Sequence, residues 1–339
     1  MADRNAAAIP VIALTGYLGA GKTTLLNHVL RAPGARIGVV INDFGELNVD
    51  AGLVTGQIDE PVSIAGGCIC CLPDEGGLDD ALEKLADPKL ALDAIIVEAS
   101  GMAEPVTISR LIRFSGVERI RHGGVVDVID GAEHFDTVDT GPAPPPRYGA
   151  ASLVVVNKLD RIAEDAREET LRRVESRVRE LNPDAYVVGA IAGRIDPRLL
   201  YDVDDGGEDG QMSFRELLLA EPDHDHDEHV HAASVTVLGD GPVDPGPLID
   251  LLESPPRGVY RMKGTVAIGK RHYLFNVVGT SVHVANAPAG SGAGHLVAIG
   301  THLDTDDVRS RMETALRPAP EKVAAAGMRR LQRLRHYSI

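Results

Sequence analysis

The sequence predicts an α/β fold with a mostly parallel, doubly wound sheet, followed by a smaller C-terminal α+β domain. Three observations indicate this architecture. Short apolar, β-branched segments alternate with helical or polar segments through the first two thirds of the chain, as in βαβ units. A glycine-rich loop separates the first such segment from a helical one. The chain of 339 residues is also longer than one hydrophobic core usually supports, so two domains are expected.

The first domain is predicted to contain six strands and at least two helices. One helix, Lys22–Leu30, directly follows the glycine-rich loop, and a second lies within 161–181, where apolar residues recur at near-helical spacing among charges. Asn182 and Pro183 end the second helix, because the residue before a proline is disfavoured in a helix. The predicted strands are Val11–Thr15, Ile37–Ile41, Ala94–Glu98, Val125–Ile129, Ser152–Asn157 and Tyr186–Ala190.

An acidic, histidine-rich linker separates the two predicted domains. We expect the first domain to span 8–215, the linker 216–231 and the second domain 232–339. In the second domain, helices are expected at Pro247–Glu253 and Asp306–Leu316. Its strand-like segments are SVTVL, VYRMKGTVAIG, HYLFNVVG, SVHVA and HLVAIG.

Composition excludes several classes of partner. Fifty acidic residues against 34 basic ones give a formal net charge of −16, which repels the phosphates of nucleic acids and anionic lipid surfaces. The sequence has no stretch of about 18 apolar residues and no apolar signal core at its N-terminus. It therefore predicts a cytoplasmic protein that binds neither nucleic acids nor membranes.

The segment GYLGAGKTT has the spacing of a phosphate-binding loop between a strand and a helix. Backbone N–H groups of such a loop surround the phosphates of a nucleotide. Lys22 would neutralise charge on the β- and γ-phosphates, and the hydroxyl of Thr23 would bind Mg²⁺. The predicted phosphate-binding residues are Gly16, Gly19, Ala20, Gly21, Lys22, Thr23 and Thr24.

Two further motifs complete a predicted nucleotide site. Glu98 ends an apolar strand, where P-loop enzymes place an acid that holds Mg²⁺ directly or through water. The motif NKLD follows another buried strand, at the sheet edge where doubly wound folds bind nucleotides. Asp160 can accept hydrogen bonds from the N1–H and the exocyclic amine of guanine, which adenine does not offer. Asn157 is expected to meet the other edge of the base and Lys158 to pack along it, so the sequence predicts a P-loop GTPase.

The only three cysteines of the chain, Cys68, Cys70 and Cys71, lie within four positions of one another. Cysteines so close can hardly pair as disulfides, and one thiol would be left over. Thiolates are soft ligands that favour Zn²⁺ and Cu⁺ and, less selectively, Co²⁺ or Ni²⁺. Because three ligands leave a tetrahedral site open, the motif predicts a site for a transition metal that is passed on.

Three other groups of residues are candidates for lesser roles. Asp43 or Glu46, after the second strand, could orient the attacking water or supply an oxygen ligand, or could belong to a solvated acidic loop. The histidines of the linker could collect metal ions, or the linker could be a solvated connector. Arg113, Arg119 and Arg121 form a basic cluster that we interpret as a solvated helix face.

These motifs resemble those of the CobW-type, or zinc-regulated, P-loop GTPase metallochaperones. GYLGAGKTTLLNHVL resembles the P-loop of the family, NDFGELNVD its switch-like segment, GGCICC its CxCC metal motif, EASGMAEP its second acidic motif and VNKLD its guanine-binding motif. The resemblance implies that Cys68, Cys70 and Cys71 bind the cargo metal, Zn²⁺ or Co²⁺, with an affinity that depends on GTP and Mg²⁺. It also implies a client metalloprotein as partner and makes a homodimer possible.

The sequence leaves three alternatives to a general GTP-hydrolysing metallochaperone. The first is a P-loop kinase, against which the NKLD motif argues. The second is a metal buffer or sensor in which nucleotide and metal are not coupled. The third is a GTPase dedicated to the activation of one cobalt enzyme.

Overall fold

The computed structural model describes residues 8–32, 35–41, 62–63, 76–101, 103–201, 232–287, 294–319, 325–336 and 338, with the backbone only at 62, 63 and 76. Two separate sheets lie in this part of the chain. The first lies within the predicted first domain and the second within the predicted second domain, whereas the predicted linker falls outside the described residues.

The first sheet has the strand order β3-β2-β4-β1-β5-β6-β7, and every neighbouring pair is parallel. β1, β2, β4 and β6 are buried at every residue, as expected when helices cover both faces of a parallel sheet. The strands are β1 (Ile9–Gly16), β2 (Ile37–Ile41), β3 (Val62–Ser63), β4 (Ala94–Glu98), β5 (Ile120–Asp130), β6 (Leu153–Asn157) and β7 (Tyr186–Gly189).

Helices pack against both faces of this sheet, which confirms the doubly wound prediction. Alternate residues of β1 point to opposite faces, so that Ile12 belongs to one core and Val11 to the other. α1 covers the first of these faces, while α2, α3 and α5 cover the second. The helices are α1 (Lys22–Arg31), α2 (Gly76–Leu85), α3 (Pro105–Arg113), the single turn α4 (His134–Thr137) and α5 (Glu164–Arg179).

The second sheet is antiparallel, with the strand order β11-β10-β9-β12-β8. Its core contains apolar side chains of three helices, α6 (Pro245–Glu253), α7 (Thr305–Ala315) and α8 (Ala325–His336). The strands are β8 (Ala233–Leu238), β9 (Val259–Ile268), β10 (Arg271–Val278), β11 (Ser281–Asn286) and β12 (His295–Gly300). An antiparallel sheet packed on helices is the α+β architecture that the sequence predicted.

The two sheets are joined at a β-bulge in β9. Arg261 pairs with Ile299 and Val259 with Gly300, so that Tyr260 is one residue in excess on its strand. The ring of Tyr260 belongs to the core of the first sheet. It lies 5.1 Å from the ring of Tyr186, the first residue of β7. The bulge therefore places a residue of the second sheet in the core of the first.

The predicted elements agree with the structure within a few residues at their ends, apart from β5, which begins five residues earlier than expected. The strand β3 and the helices α2, α3, α4 and α8 were not predicted. In α3, four of the nine residues are β-branched, as is typical of strands, and only Pro105, Ile108 and Ile112 are buried. No helix in the described ranges is long and apolar enough to cross a membrane.

Candidate nucleotide site

The phosphate-binding loop lies between β1 and α1, at the carboxyl edge of the first sheet. Gly16 and Gly21 have φ angles of 149° and 103°, where side chains with a Cβ are strained. A Cβ on Gly16 would lie 2.5 Å from the carbonyl oxygen of Val128, and one on Gly21 would lie 2.3 Å from Nδ2 of Asn157. The loop therefore follows its path only because these positions are glycine, as the motif predicted.

The first turn of α1 follows the loop without a side-chain cap on its N–H groups. Gly21 precedes the helix in a left-handed conformation and has no side chain to accept from them. Gly19 and Thr24 are exposed next to this turn, while Ala20 is buried beneath it. Uncapped N–H groups at the start of a helix attract anions, so the geometry suits phosphate.

Lys22 is 9 % exposed and folds back onto the loop. Its Nζ donates to the carbonyl oxygen of Gly16 at 3.0 Å. The ammonium group thus lies over the loop that the phosphates would occupy and needs only a change of side-chain torsion to reach them. This position agrees with the role predicted for Lys22.

Thr23, at the start of α1, and Glu98, at the end of β4, lie in contact beside the loop. The Oγ1 of Thr23 donates to Oε1 of Glu98 at 3.0 Å. Glu98 is the last residue of β4 and is 3 % exposed, held between Leu14 of β1 and Ile41 of β2. A hydroxyl and a carboxylate next to a phosphate loop are the oxygen ligands that Mg²⁺ prefers. The two residues therefore fit the Mg²⁺ site that the sequence predicted.

Asn157 holds two loops together at the end of β6. Its Nδ2 donates to the carbonyl oxygen of Ala20 at 3.0 Å, and its Oδ1 accepts from the backbone N–H of Gly193 at 2.8 Å. The side chain is 2 % exposed. Both ends of the amide thus bind backbone groups, and the contact of Asn157 with the edge of the base stays a prediction. Asn157 therefore positions the phosphate loop and the loop after β7.

Lys158 and Asp160 follow in a short 3₁₀ turn at the same edge. Lys158 has a φ of 61° and its Nζ lies 2.8 Å from Oδ2 of Asp130, at the end of β5. This ion pair directs the side chain of Lys158 toward the end of β5. Asp160 is exposed, and its carboxylate is accessible to a base. The arrangement is compatible with the roles predicted for both residues.

The loop after β7 is a part of the site that the sequence analysis missed. Its residues 190–194 lie beside the NKLD turn because β7 is the neighbour of β6. The carbonyl oxygen of Ala190 accepts from the N–H of Leu159, and a Cβ on Gly193 would lie 2.7 Å from the backbone nitrogen of Leu25 in α1. The small residues of the sequence GAIAG, directly after a strand, were the available signal.

A buried ion pair between Asp127 and Arg147 holds the end of β1 from which the phosphate loop begins. Asp127 is fully buried on β5 and accepts two hydrogen bonds from Arg147, at 2.8 and 2.6 Å. It also accepts from the hydroxyl of Thr15, the residue before the loop, at 2.8 Å. Paired bonds from a guanidinium fix the geometry of a carboxylate. Nothing in the sequence pattern marked Asp127, because its partners are distant along the chain.

The predicted transition-metal ligands Cys68, Cys70 and Cys71 lie outside the described residues, as does Asp43. Within the residues that the structure describes, no group of three or more His, Cys, Asp or Glu side chains could hold a metal ion. The CxCC site and the role of Asp43 remain predictions.

Comparison with family models gives matches over most of both domains. The model described as CobW/HypB/UreG, nucleotide-binding domain, matches residues 10–189. The model described as cobalamin synthesis protein cobW C-terminal domain matches residues 232–316.

Curated relatives carry names that refer to zinc. The chain is 30 % identical to the zinc chaperone CobW of a Sinorhizobium species over 91 % of this chain and 97 % of that protein. It is 30 % identical to the zinc chaperone YjiA of Escherichia coli K12 over 70 % of this chain and 73 % of the relative. A zinc-regulated GTPase metalloprotein activator of Dictyostelium discoideum is 28 % identical over 53 % of this chain and 45 % of its own length.

Among solved structures, the Zn(II)-bound YjiA GTPase from E. coli matches 91 % of this chain and 99 % of its own, with 22 % identity and a TM-score of 0.40.

Proposed function

We propose that this chain, which belongs to the CobW/HypB/UreG family of nucleotide-binding proteins and carries a CobW C-terminal domain, is a GTP-hydrolysing metallochaperone. Its cargo is Zn²⁺, bound by Cys68, Cys70 and Cys71 in a manner that depends on GTP and Mg²⁺, and its partner is a client metalloprotein. The observation that carries the proposal is the 3.0 Å contact between Thr23 and Glu98, on the same sheet edge as the NKLD turn.

The nucleotide half of the proposal rests on side chains that surround one loop. Lys22 and the uncapped N–H groups of α1 bind the phosphates, while Asp160 accepts from the guanine base. Thr23 and Glu98 hold Mg²⁺, which when bound neutralises charge that develops on the transferred phosphoryl group. Asp43 orients the attacking water. Asn157 keeps the phosphate loop and the base-side loop in register.

The path of the chain supports coupling between the nucleotide and the metal. β3 ends at Ser63, which pairs with Ile41 of β2, and Ile41 also pairs with Glu98. Cys68 follows Ser63 by five positions in the sequence. The chain therefore enters the cysteine motif from the edge that carries the predicted Mg²⁺ ligand. Ordering of neighbouring segments by GTP and Mg²⁺ would complete the thiolate site, and hydrolysis would loosen it.

The test is a competitive titration of Zn²⁺ and Co²⁺, separately, against a chromophoric chelator in the presence of Mg²⁺. We expect Zn²⁺ to bind at least tenfold more tightly with a non-hydrolysable GTP analogue than with GDP, a ratio within the usual range of coupling energies (about 1–3 kcal/mol). Replacement of the three cysteines by serine should abolish binding in both states. Because binding coupling is reciprocal, Zn²⁺ should tighten the GTP analogue by the same factor.

Thr23→Ala serves as the matched variant in this titration. It removes the hydroxyl that contacts Glu98 and leaves every cysteine in place. We expect it to lose the difference between the two nucleotides while retaining the affinity for Zn²⁺ that the wild type shows with GDP. Equal Zn²⁺ affinity of the wild type in both nucleotide states would reject the proposal in favour of a metal buffer. Tighter binding of Co²⁺ than of Zn²⁺ would reject zinc as cargo.

A further inference from the structure

A cleft opens at the amino edge of the first sheet, opposite the nucleotide site. It has a volume of about 470 Å³ and lies between the end of α3, the first residues of β5 and the turn that joins β10 to β11. Both domains therefore contribute to its walls. The residues that line it include Ser109, Arg110, Arg113, Phe114, His122 and Thr280.

Several polar groups in the wall of the cleft are already engaged. Ser152 bonds to the backbone of Val125 and to the hydroxyl of Tyr260. Asn182 donates both of its amide hydrogens, to the carbonyl oxygens of Tyr148 and Ala151. These groups stabilise the wall and have little capacity to bind a ligand.

His122 is neutral and also engaged. Its Nδ1 accepts from the N–H of Gly124 at 3.3 Å, so its Nε2 carries the hydrogen and donates to Oγ of Ser109 at 2.9 Å. Burial, together with the positive charges of Arg113 and Arg121, lowers the pKa of His122 to about 4. The positive charges of the two arginines therefore reach His122 in the wall of the cleft. Because Nε2 of His122 donates to Ser109, it does not act as a base that would activate the hydroxyl of Ser109.

Arg110 and Arg113 differ from most arginines whose contacts the structure describes. Both are exposed in the last turn of α3, and neither has a hydrogen bond or an ion pair with any residue in the described ranges. By contrast, Arg147, Arg177 and Arg198 each make a close ion pair with an aspartate. Two guanidinium groups three positions apart on one helix face present their donors together.

Two carboxylates line the same cavities, but neither makes an ion pair with Arg110 or Arg113. Asp184 lines the cleft, and Asp79 lines the second cavity together with Arg110. Asp79 accepts from the hydroxyl of Ser115 at 2.7 Å and from the N–H of Gly116. The end of α3 therefore presents two exposed guanidinium groups, of Arg110 and Arg113, that no described carboxylate pairs with.

An apolar group completes this surface. Phe114 follows Arg113 directly and is 80 % exposed, the most exposed large apolar side chain among the described residues. A second cavity, of about 160 Å³, lies on its other side and includes Leu78 and Leu111. Arg110 and Phe114 line both cavities. The two cavities together form an extended surface that suits a chain segment better than a compact small molecule.

We propose that Arg110, Arg113 and Phe114, with the two cavities beside them, form a binding surface for an acidic peptide segment of a partner protein. Carboxylates of the segment pair with the two guanidinium groups, and an apolar side chain of the segment covers Phe114. The proposal depends on the proposed function only in that the partner would then be the client that receives the metal. Because α3 begins at Pro105, soon after Glu98, the segment would bind the helix that follows the predicted Mg²⁺ ligand.

The test uses the full chain with Mg²⁺ and GDP and a fluorescein-labelled peptide of about twelve residues, in which aspartate and glutamate alternate with leucine. Fluorescence anisotropy measures binding to the wild type and to the double variant R110E/R113E. The matched control is R329E/R333E, which reverses two exposed arginines of α8 and changes the net charge by the same amount. A second peptide, with asparagine and glutamine in place of the acids, tests the need for carboxylates.

We expect R110E/R113E to weaken binding of the acidic peptide at least tenfold and Phe114→Ala to weaken it by about three- to tenfold. The control variant should bind as the wild type does, and the neutral peptide should not bind. Equal loss in R329E/R333E, equal binding of the neutral peptide, or no binding to the wild type would overturn the proposal. Displacement of the peptide by inorganic pyrophosphate at lower concentration than by unlabelled peptide would also overturn it, because that result defines a small-anion site.

GTP hydrolysis and the Zn²⁺ titration are measured on the same variants. R110E/R113E should hydrolyse GTP and bind Zn²⁺ as the wild type does, because neither arginine contacts the nucleotide site. A wild type that binds the acidic peptide but shows no GTP-dependent Zn²⁺ affinity would reject the metallochaperone proposal and leave the peptide surface in place. The opposite result would reject the surface alone.

Discussion

The carboxyl and amino edges of the parallel sheet hold their charged side chains in different ways. At the carboxyl edge, Lys22, Glu98 and Lys158 all have fixed partners within the loop or on neighbouring strands. At the amino edge, Arg110 and Arg113 have none in the part of the chain that the structure describes. A rigid arrangement suits one ligand of fixed shape, whereas exposed donors without fixed partners suit a chain segment that adapts to them.

The largest expected effect comes from disturbing the rigid edge, with Gly21→Ala. The new Cβ would lie 2.3 Å from Nδ2 of Asn157, at a backbone φ of 103° that disfavours any side chain. We expect the affinity for GTP and GDP to fall roughly 1,000-fold, because strain and overlap of this kind cost several kcal/mol. Titration with a fluorescent guanine nucleotide measures the loss.

Gly116→Ala is the control for this variant, because no atom lies within 4 Å of a Cβ at Gly116 and its φ is not positive. It should bind nucleotide as the wild type does. If Gly21→Ala kept its affinity within about threefold, the loop would be adaptable, and the contrast between the two edges would be wrong.

A smaller effect is expected from Asp160→Asn, which tests recognition of the guanine base and not the conformation of the phosphate loop. An amide in place of the carboxylate offers one acceptor and one donor, a pattern that matches xanthine and not guanine. We expect about 100-fold weaker binding of GTP and tighter binding of XTP, because each hydrogen bond to a charged group contributes about 1.5–3 kcal/mol. Competition between the two nucleotides gives the ratio.

Asp165→Asn is the matched control for the base, since Asp165 is exposed in the first turn of α5. Its preference for GTP should equal that of the wild type. An Asp160→Asn variant that still preferred GTP over XTP would contradict the assignment of Asp160 and would direct attention to the loop after β7.

Sequence patterns predicted the fold and the candidate residues of the nucleotide site, but not the residues that hold those candidates in place. The P-loop, Glu98 and the NKLD turn are short, local motifs, and β2 and β4 have the predicted ends. The backbone contacts of Asn157 were not predicted, because its partners, Ala20 and Gly193, lie 137 and 36 positions away. Only a folded chain brings such groups together.

The basic cluster shows the same limit. Arg113, Arg119 and Arg121 were interpreted as one solvated helix face, but Arg113 ends α3 and Arg121 lies in β5. The sequence did not show this division because the first residues of β5 are polar and only partly buried, so that the strand begins earlier than its apolar residues indicate. Arg110, one turn before Arg113, is the partner that the structure adds to the surface.

The smallest expected effect concerns the charge at the amino edge, measured through His122. The pKa of His122 is lowered to about 4 by burial first, and then by Arg113 and Arg121. Arg110 and Asp184 line the same cleft. Arg113→Ala should raise the pKa of His122 only part of the way toward 6.5, because burial remains. Chemical shifts of the imidazole followed by NMR against pH report the change.

The sign of the accompanying stability effect follows from the two protonation states. The unfolded chain takes up a proton at His122 below about pH 6.5, while the native chain does so only near pH 4, so the native state loses stability as the pH falls through this window. Arg113→Ala should make the loss of native-state stability with falling pH smaller. Arg329→Ala, which replaces an exposed arginine of α8, should leave that loss unchanged. A pKa of His122 that did not respond to Arg113→Ala would mean that the field of the arginines does not reach the cleft, and the contrast between the two edges would then rest on geometry alone.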